Sequence, residues 1–197
     1  MRHKGHTNPP GRRKIIQALT ELMRAKDFHS ITTAEIAEKA GVAEGLIYKY
    51  FKSKKDLLYQ VLHDLFTHYH HTVLKRIENK TSAIEKLEII IYSGIEYYTA
   101  NRVFARMLLL EVRNSQDYFG SAAYDIAKTY ARNILDIIQE GIRRGEIKSD
   151  TDPLILRRII LGAIEHACLG EIIFSRDLDA QAMAMKISTI LFNGAKA

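Results

Sequence analysis

The sequence predicts an all-α protein, and three observations carry that expectation. Apolar residues recur at the 3.6-residue helical period along most of its length. Ser or Thr stands three residues before an acidic side chain at Thr32/Glu35, Ser53/Asp56 and Ser82/Glu85, a pattern that starts helices. Only 3 prolines and little two-residue alternation leave almost nothing for strands. The 197 residues are 47% hydrophobic and 26% charged, enough apolar material for a substantial core. Cys168 is the single cysteine, which excludes an intramolecular disulfide, fits a reducing cytosol and reads as a small buried apolar residue. Met1 to Lys14 has no apolar leader core, and no run approaches the roughly 18 residues of a membrane span. A cytoplasmic protein without a membrane partner is therefore expected.

The elements follow in order. Met1 to Pro10 is polar and basic, with Arg2, His3, Lys4 and His6, and reads as a disordered tail, though such an arm can lie along DNA phosphates. Ile15, Ala18, Leu19 and Leu22 define an amphipathic helix from about 11 to 26, with Phe28 and Ile31 closing a small core behind it. A helix then starts at about Thr33 and shows Ile36, Ala37 and Ala40 on one face. Gly41 supplies the positive φ that a tight interhelical turn needs. A second short helix runs from about Glu44 to Phe51, with Val42, Ile47 and Phe51 turned inwards. The next, Lys54 to about Asn79, joins two units: residues 1–53 and a larger region, 54–197. Helices are expected from Ser82 to about Ala100, Val103 to Asn114, Tyr118 to Arg144 with a stop at Gly145, Pro153 to about Phe174, and Asp179 to Asn193, giving about nine in all.

Two short helices across a glycine turn form a helix-turn-helix, which sets its second helix in the DNA major groove. Charge points the same way. Residues 1–60 carry 12 Lys/Arg and 6 Asp/Glu, whereas residues 61–197 carry 17 of each, so the whole +6 excess sits beside the motif. On the recognition helix Glu44, Gly45, Leu46, Tyr48 and Lys49 remain on the outer side. Lys49 is the candidate for a base contact at guanine O6/N7. Leu46 either meets a thymine methyl or helps fill the small core, and Glu44 should point at a base edge or water. Ala43 leaves that helix without a side-chain cap.

The stretch AEIAEKAGVAEGLIYKYFKSKKDLL resembles the DNA-binding signature of the TetR family of bacterial regulators. The resemblance implies a dimer on a palindromic double-stranded operator. It also implies phosphate contacts from the hydroxyls of Tyr48 and Tyr50, from Lys54 at the start of the connecting helix, and from Thr33. Leu46 and Ala43 depart from the hydroxyl residues usual there.

The larger region has no phosphate-binding glycine loop, no HExxH and no spaced nucleophile–base pair, so neither enzyme activity nor a cofactor is expected. Tyr92, Tyr98 and Tyr130, with Phe104, Met107 and Leu108, are candidates for an apolar effector pocket with polar tips. LEVRNS, Leu110 to Ser115, followed by a long helix ending EGIRRGEIK, resembles the acyl-CoA-responsive repressors of fatty-acid degradation within that family. Glu111 falls in this motif. Arg102, Arg106 and Arg113 lie within about 40° of one another on an ideal helix, a stripe that coenzyme A phosphates would suit. A multidrug-type repressor sensing lipophilic compounds is the alternative, and a helical enzyme the rival from another class. The last two helices are apolar on more than one side, so they are expected to pair with a second copy, with Ile160, Ile164, Ile187 and Leu191 at the contact. His63, His68 and His71 with Asp64 read either as a metal or pH site or as a solvated helix face; no metal is assigned.

Overall fold

A computed structural model describes residues 9–174 and 177–195, with side chains to residue 193. Residues 1–8, most of the basic arm, lie outside that range. Among the described residues there are nine α-helices and no strand. They are α1 (Pro10–Leu22), α2 (Thr33–Ala40), α3 (Gly45–Tyr50), α4 (Lys54–Ile77), α5 (Ala83–Ala100), α6 (Arg102–Arg106), α7 (Ala122–Arg143), α8 (Pro153–Phe174) and α9 (Ala180–Ala195).

Helices α1 to α3 close over Ile15, Leu19, Ile36, Ile47 and Phe51, all buried. Helix α4 leaves this unit and packs along α7 and α5. Helix α5 is the centre of the larger region, covered by α7, α8 and α9. Gly94 permits its close approach to α8: a Cβ there would lie 2.8 Å from Ile164 Cγ2.

Local signals set most boundaries. Thr32 Oγ1 accepts from the Glu35 amide while Glu35 accepts from the Thr32 amide, a complete capping box. Ser53 accepts from the Asp56 amide, but the return bond from Asp56 goes one residue further back, to the Lys52 amide at 2.9 Å. The third box forms only in half. Ser82 accepts from the Glu85 amide, yet Glu85 turns to Lys80 at 2.6 Å. Its place is taken by Glu146, which accepts from Ser82 Oγ and the Ala83 amide, both at 2.7 Å, after the chain turns at Gly145 with φ 73°.

Two expected helices are subdivided. The one expected over Val103 to Asn114 starts at Arg102 and widens at Met107–Glu111 into a π-helical turn, with the Val112 amide bonded to the Met107 carbonyl. The one expected from Tyr118 begins as a 3₁₀ turn, Gln116–Gly120, before Ser121 caps α7. Helix α1 ends at Leu22, four residues early, because the chain must turn to bring buried Phe28 and Ile31 under it.

Burial divides the residues of the expected self-contact. Ile160 and Ile164 are 0% and 3% exposed, covered by the chain's own helices, whereas Ile187 and Leu191 are half-buried and keep part of their surface in solvent. The large apolar side chains left in solvent on α8 and α9 are others: Leu154, Ile155, Ile159, Ile173, Phe174, Met185 and Ile190. Helical period names an apolar face but not which side of it the chain itself will cover.

Of the histidines, His63 sits 3.2 Å from Asp64, His68 and His71 are exposed, and His70 is buried. Among the described residues no three His, Cys, Asp or Glu converge as metal ligands. His70 Nε2 lies 2.9 Å from Asn133 Nδ2, so neutral imidazole accepts the amide proton. Burial, then the charge of His71, lowers its pKa below the usual value of 6.5. The unfolded chain therefore takes up this proton first, and the contribution of neutral His70 is complete above about pH 6.5 and lost as pH falls towards the folded value. The melting temperature should drop between pH 7 and 5.5, and His70→Gln should flatten that slope; an unchanged slope would exclude His70 as its source.

Candidate DNA-binding surface and effector cavity

Gly41, with φ 63°, turns the chain between α2 and α3 as the motif requires. Ile47 and Phe51 fix the inner side of α3, leaving Tyr48 57% exposed and Glu44, Gly45 and Lys49 open to solvent. The Thr33 hydroxyl donates to Glu44 at 2.5 Å and lies 3.3 Å from the Tyr48 hydroxyl. Thr33, Glu44 and Tyr48, distant in sequence, thus form one polar cluster across the outer ends of both helices. Glu44 accepts from Thr33 while remaining open to solvent. Behind this surface Lys26 and the Thr32 groups hold the Glu35 carboxyl down to about 2.

Leu46 resolves towards the core. It is half-buried over Gly11, where a Cβ would come within 2.9 Å of Leu46 Cδ2, and Tyr50 packs beside it. Lys54 is engaged within the protein. Its ammonium donates to the carbonyls of Phe28 at 3.0 Å, His29 at 3.4 Å and Ile31 at 2.6 Å, and sits 4.5 Å from the Phe28 ring centre. These bonds tie the segment between α1 and α2 to the start of α4, with the side chain half-buried. The exposed cations at this edge are Lys52 and Lys55, which flank the N-terminus of α4. The Ser-Lys-Lys sequence marked that edge, though not which lysine faced outwards.

The arginine stripe is divided by the tertiary structure. Arg106 pairs with Asp27 of the helix-turn-helix unit, and Glu111 lies 3.3 Å from His29 of the same unit. Arg102 stands 3.8 Å from Asp177. Arg102 and Arg106 line a cleft of about 740 Å³ between α1, α4, α6 and the end of α8. Arg113 faces elsewhere. It forms a two-pronged bond to Glu165, 2.9 and 2.5 Å, at the rim of an apolar cavity of about 260 Å³ between α4, the π turn, α7 and α8. The helix ends at Glu111 and Arg113 stands in the turn that follows, which is why an ideal-helix angle fails here.

Leu108 and Tyr130 line that cavity, with Phe66, Tyr118 and Leu161. Tyr98, Phe104 and Met107 lie in the closed core behind it. Tyr92 is on the opposite side of α5, facing α9, with its hydroxyl on Glu96 at 2.7 Å. The buried hydroxyls of Tyr69 and Tyr130 meet at 2.8 Å, and burial raises both well above the usual tyrosine value, so they act as neutral donors and acceptors. Phe66 was missed because it sits in a helix whose apolar face is shared between two units.

A basic helix-turn-helix set on a helical body with an apolar cavity defines a ligand-responsive DNA-binding regulator. Residues 15–61 match the family model of the bacterial regulatory proteins of the TetR family, and residues 62–194 match the YsiA-like protein C-terminal region. The chain belongs to the TetR family, and it is a transcriptional regulator rather than an enzyme. It is similar to the fatty acid metabolism regulator protein of Bacillus subtilis, 31% identical over 92% of this chain and 93% of that one. The crystal structure of FadR from Bacillus subtilis in complex with stearoyl-CoA superposes with TM-score 0.84 at 28% identity, covering 92% of this chain and 98% of that one. FadR from Bacillus halodurans shares the fold, with TM-score 0.84 at 23% identity over 94% and 96% of the two chains. Members of the family bind DNA operators as dimers.

Proposed function

We propose that this regulator is a repressor that leaves its palindromic operator when an acyl-CoA occupies the cavity beneath Arg113. The observation that carries the reading is the pairing of an apolar cavity with a guanidinium at its rim, in a chain similar to a regulator crystallised with stearoyl-CoA. The acyl chain would fill the cavity, and the coenzyme A phosphates would take the Arg113 fork from Glu165. A ligand can release DNA only by binding the non-binding arrangement more tightly. Two elements support such coupling. Phe66 and Lys54 lie on the same helix, one at the cavity and one bracing the helix-turn-helix unit. The π turn sets Leu108 in the cavity wall, with Arg106 and Glu111 flanking it on Asp27 and His29. A ligand against Leu108 and Phe66 would shift both links as rigid bodies.

The units that move are residues 1–53 and 54–197. The dimer would form through the exposed apolar stripe of α8 and α9, where Gly162 and Gly170 have open space over their Cα atoms. A cytoplasmic location follows from the DNA partner, and among the described residues no helix is long and apolar enough to cross a membrane.

Acyl-CoA should raise the melting temperature and release operator DNA over one concentration range. Arg113→Gln should weaken the CoA thioester by about 10- to 100-fold and the free acid less. Equal losses for both would remove Arg113 from the phosphate role. Release by neutral lipophilic compounds, with no response to any acyl-CoA, would favour the multidrug-type reading.

A further inference from the structure

Ala43, Glu44 and Gly45 lead into α3, and all three are exposed. A Cβ on Gly45 would meet no atom within 4 Å. In a helix-turn-helix the leading residues of the second helix meet the base edges. With a methyl group before it and bare backbone after it, Glu44 is the one long side chain at that leading end. An acid stands out there, because residues 1–60 carry a net charge of +6 and a phosphate surface repels a carboxylate. Two other acids of this unit are each met by a lysine, Glu35 by Lys26 and Glu21 by Lys39. Glu44 is met by a hydroxyl instead, with Thr33 donating to its Oε1 at 2.5 Å.

A hydroxyl has a single proton, and that of Thr33 is committed to Glu44, which fixes the carboxylate against α2. A carboxylate accepts at both oxygens, so one remains for a donor on the DNA. Base chemistry then selects the partner. In the major groove guanine offers N7 and O6 and thymine offers O4, all acceptors that repel a carboxylate. The donors are adenine N6 and cytosine N4. Adenine N6 has its own N7 on one side and thymine O4 on the other, whereas cytosine N4 has only a C–H on its outer side. We infer that Glu44 reads a cytosine in each operator half-site by accepting from its N4–H, and that Thr33 is the positioning residue for that contact. This holds whatever the effector, because it depends only on α3 entering the major groove.

The test is selection from a randomised duplex pool by the full-length dimer, followed by sequencing. Wild type should select a C·G pair at the position that Glu44 reads in each half-site. Glu44→Gln keeps an oxygen for the Thr33 hydroxyl but adds a donor, so it should exchange that pair for A·T, whose adenine N6 and N7 match an amide. Glu44→Ala should lose the preference there and keep every other position, with affinity for the wild-type operator reduced about tenfold per half-site. Thr33→Val should weaken the same preference without replacing the base. Sedimentation and circular dichroism report whether each variant is a folded dimer. Should Glu44→Ala fail to fold, Glu44→Gln decides, since it retains the bond to Thr33. Base preferences unchanged at every position in folded Glu44→Gln would overturn the inference and leave Glu44 as a clamp between α2 and α3. A change confined to a pair that wild type selects as A·T would overturn the assignment to cytosine. An equal loss of affinity for all sequences would also overturn it, because a base-reading side chain acts at its own position.

Discussion

Ile159→Asp combined with Ile190→Asp is expected to give a folded monomer that binds the full operator at least about a hundredfold more weakly. The two side chains are 47% and 77% exposed on α8 and α9, so an aspartate at either costs the isolated subunit almost nothing. Across a twofold axis the same charges would face each other and a desolvated apolar stripe, where unpaired charge is strongly unfavourable. A palindrome is read by two recognition helices roughly 34–36 Å apart, and the second half-site gains from an effective concentration that a monomer lacks. Sedimentation would report the mass, far-ultraviolet circular dichroism the fold, and a half-site oligonucleotide should bind wild type and variant alike. A variant that sediments as a dimer would show that the subunits pair through a different surface. Ile160→Asp is the contrasting case, since that residue is fully buried and its replacement should unfold the subunit.

Lys54→Met should lower unfolding stability by about 1–3 kcal/mol, because the carbonyls of Phe28, His29 and Ile31 lose their donor while the methylene packing is kept. Partial burial lowers the Lys54 pKa, and Glu111 and Glu35 act against that shift, which agrees with an ammonium set among protein groups. The same variant should leave the salt dependence of operator binding unchanged. Lys49→Ala, by contrast, should relax base preference, and removal of exposed Lys55 should reduce the salt slope by about one ion. Denaturant unfolding and salt titration of operator affinity separate the two roles. A Lys54→Met variant of wild-type stability with a smaller salt slope would return this lysine to the phosphates.

The amino-acid sequence by itself determined what depends on neighbours a few residues apart. Thr32 and Glu35 cap α2, Gly41 turns the chain, Ser53 starts α4 and Pro153 starts α8, because each needs only backbone groups within about four positions. The helix-turn-helix, its excess charge and the family were legible for the same reason. The tertiary structure alone decided matters that depend on a partner far along the chain. It assigned Lys54 to the carbonyls after α1, Glu146 rather than Glu85 to the start of α5, and Tyr92 to the α9 side of α5. It placed Ile160 and Ile164 inside the subunit and Ile159 outside. It also separated Arg106 from Arg113, since the helix ends at Glu111 and Arg113 stands in the turn beyond it. A helical repeat states which side chains share a face, whereas the free energy of each depends on what packs over that face, and that is known only once the other helices are in place.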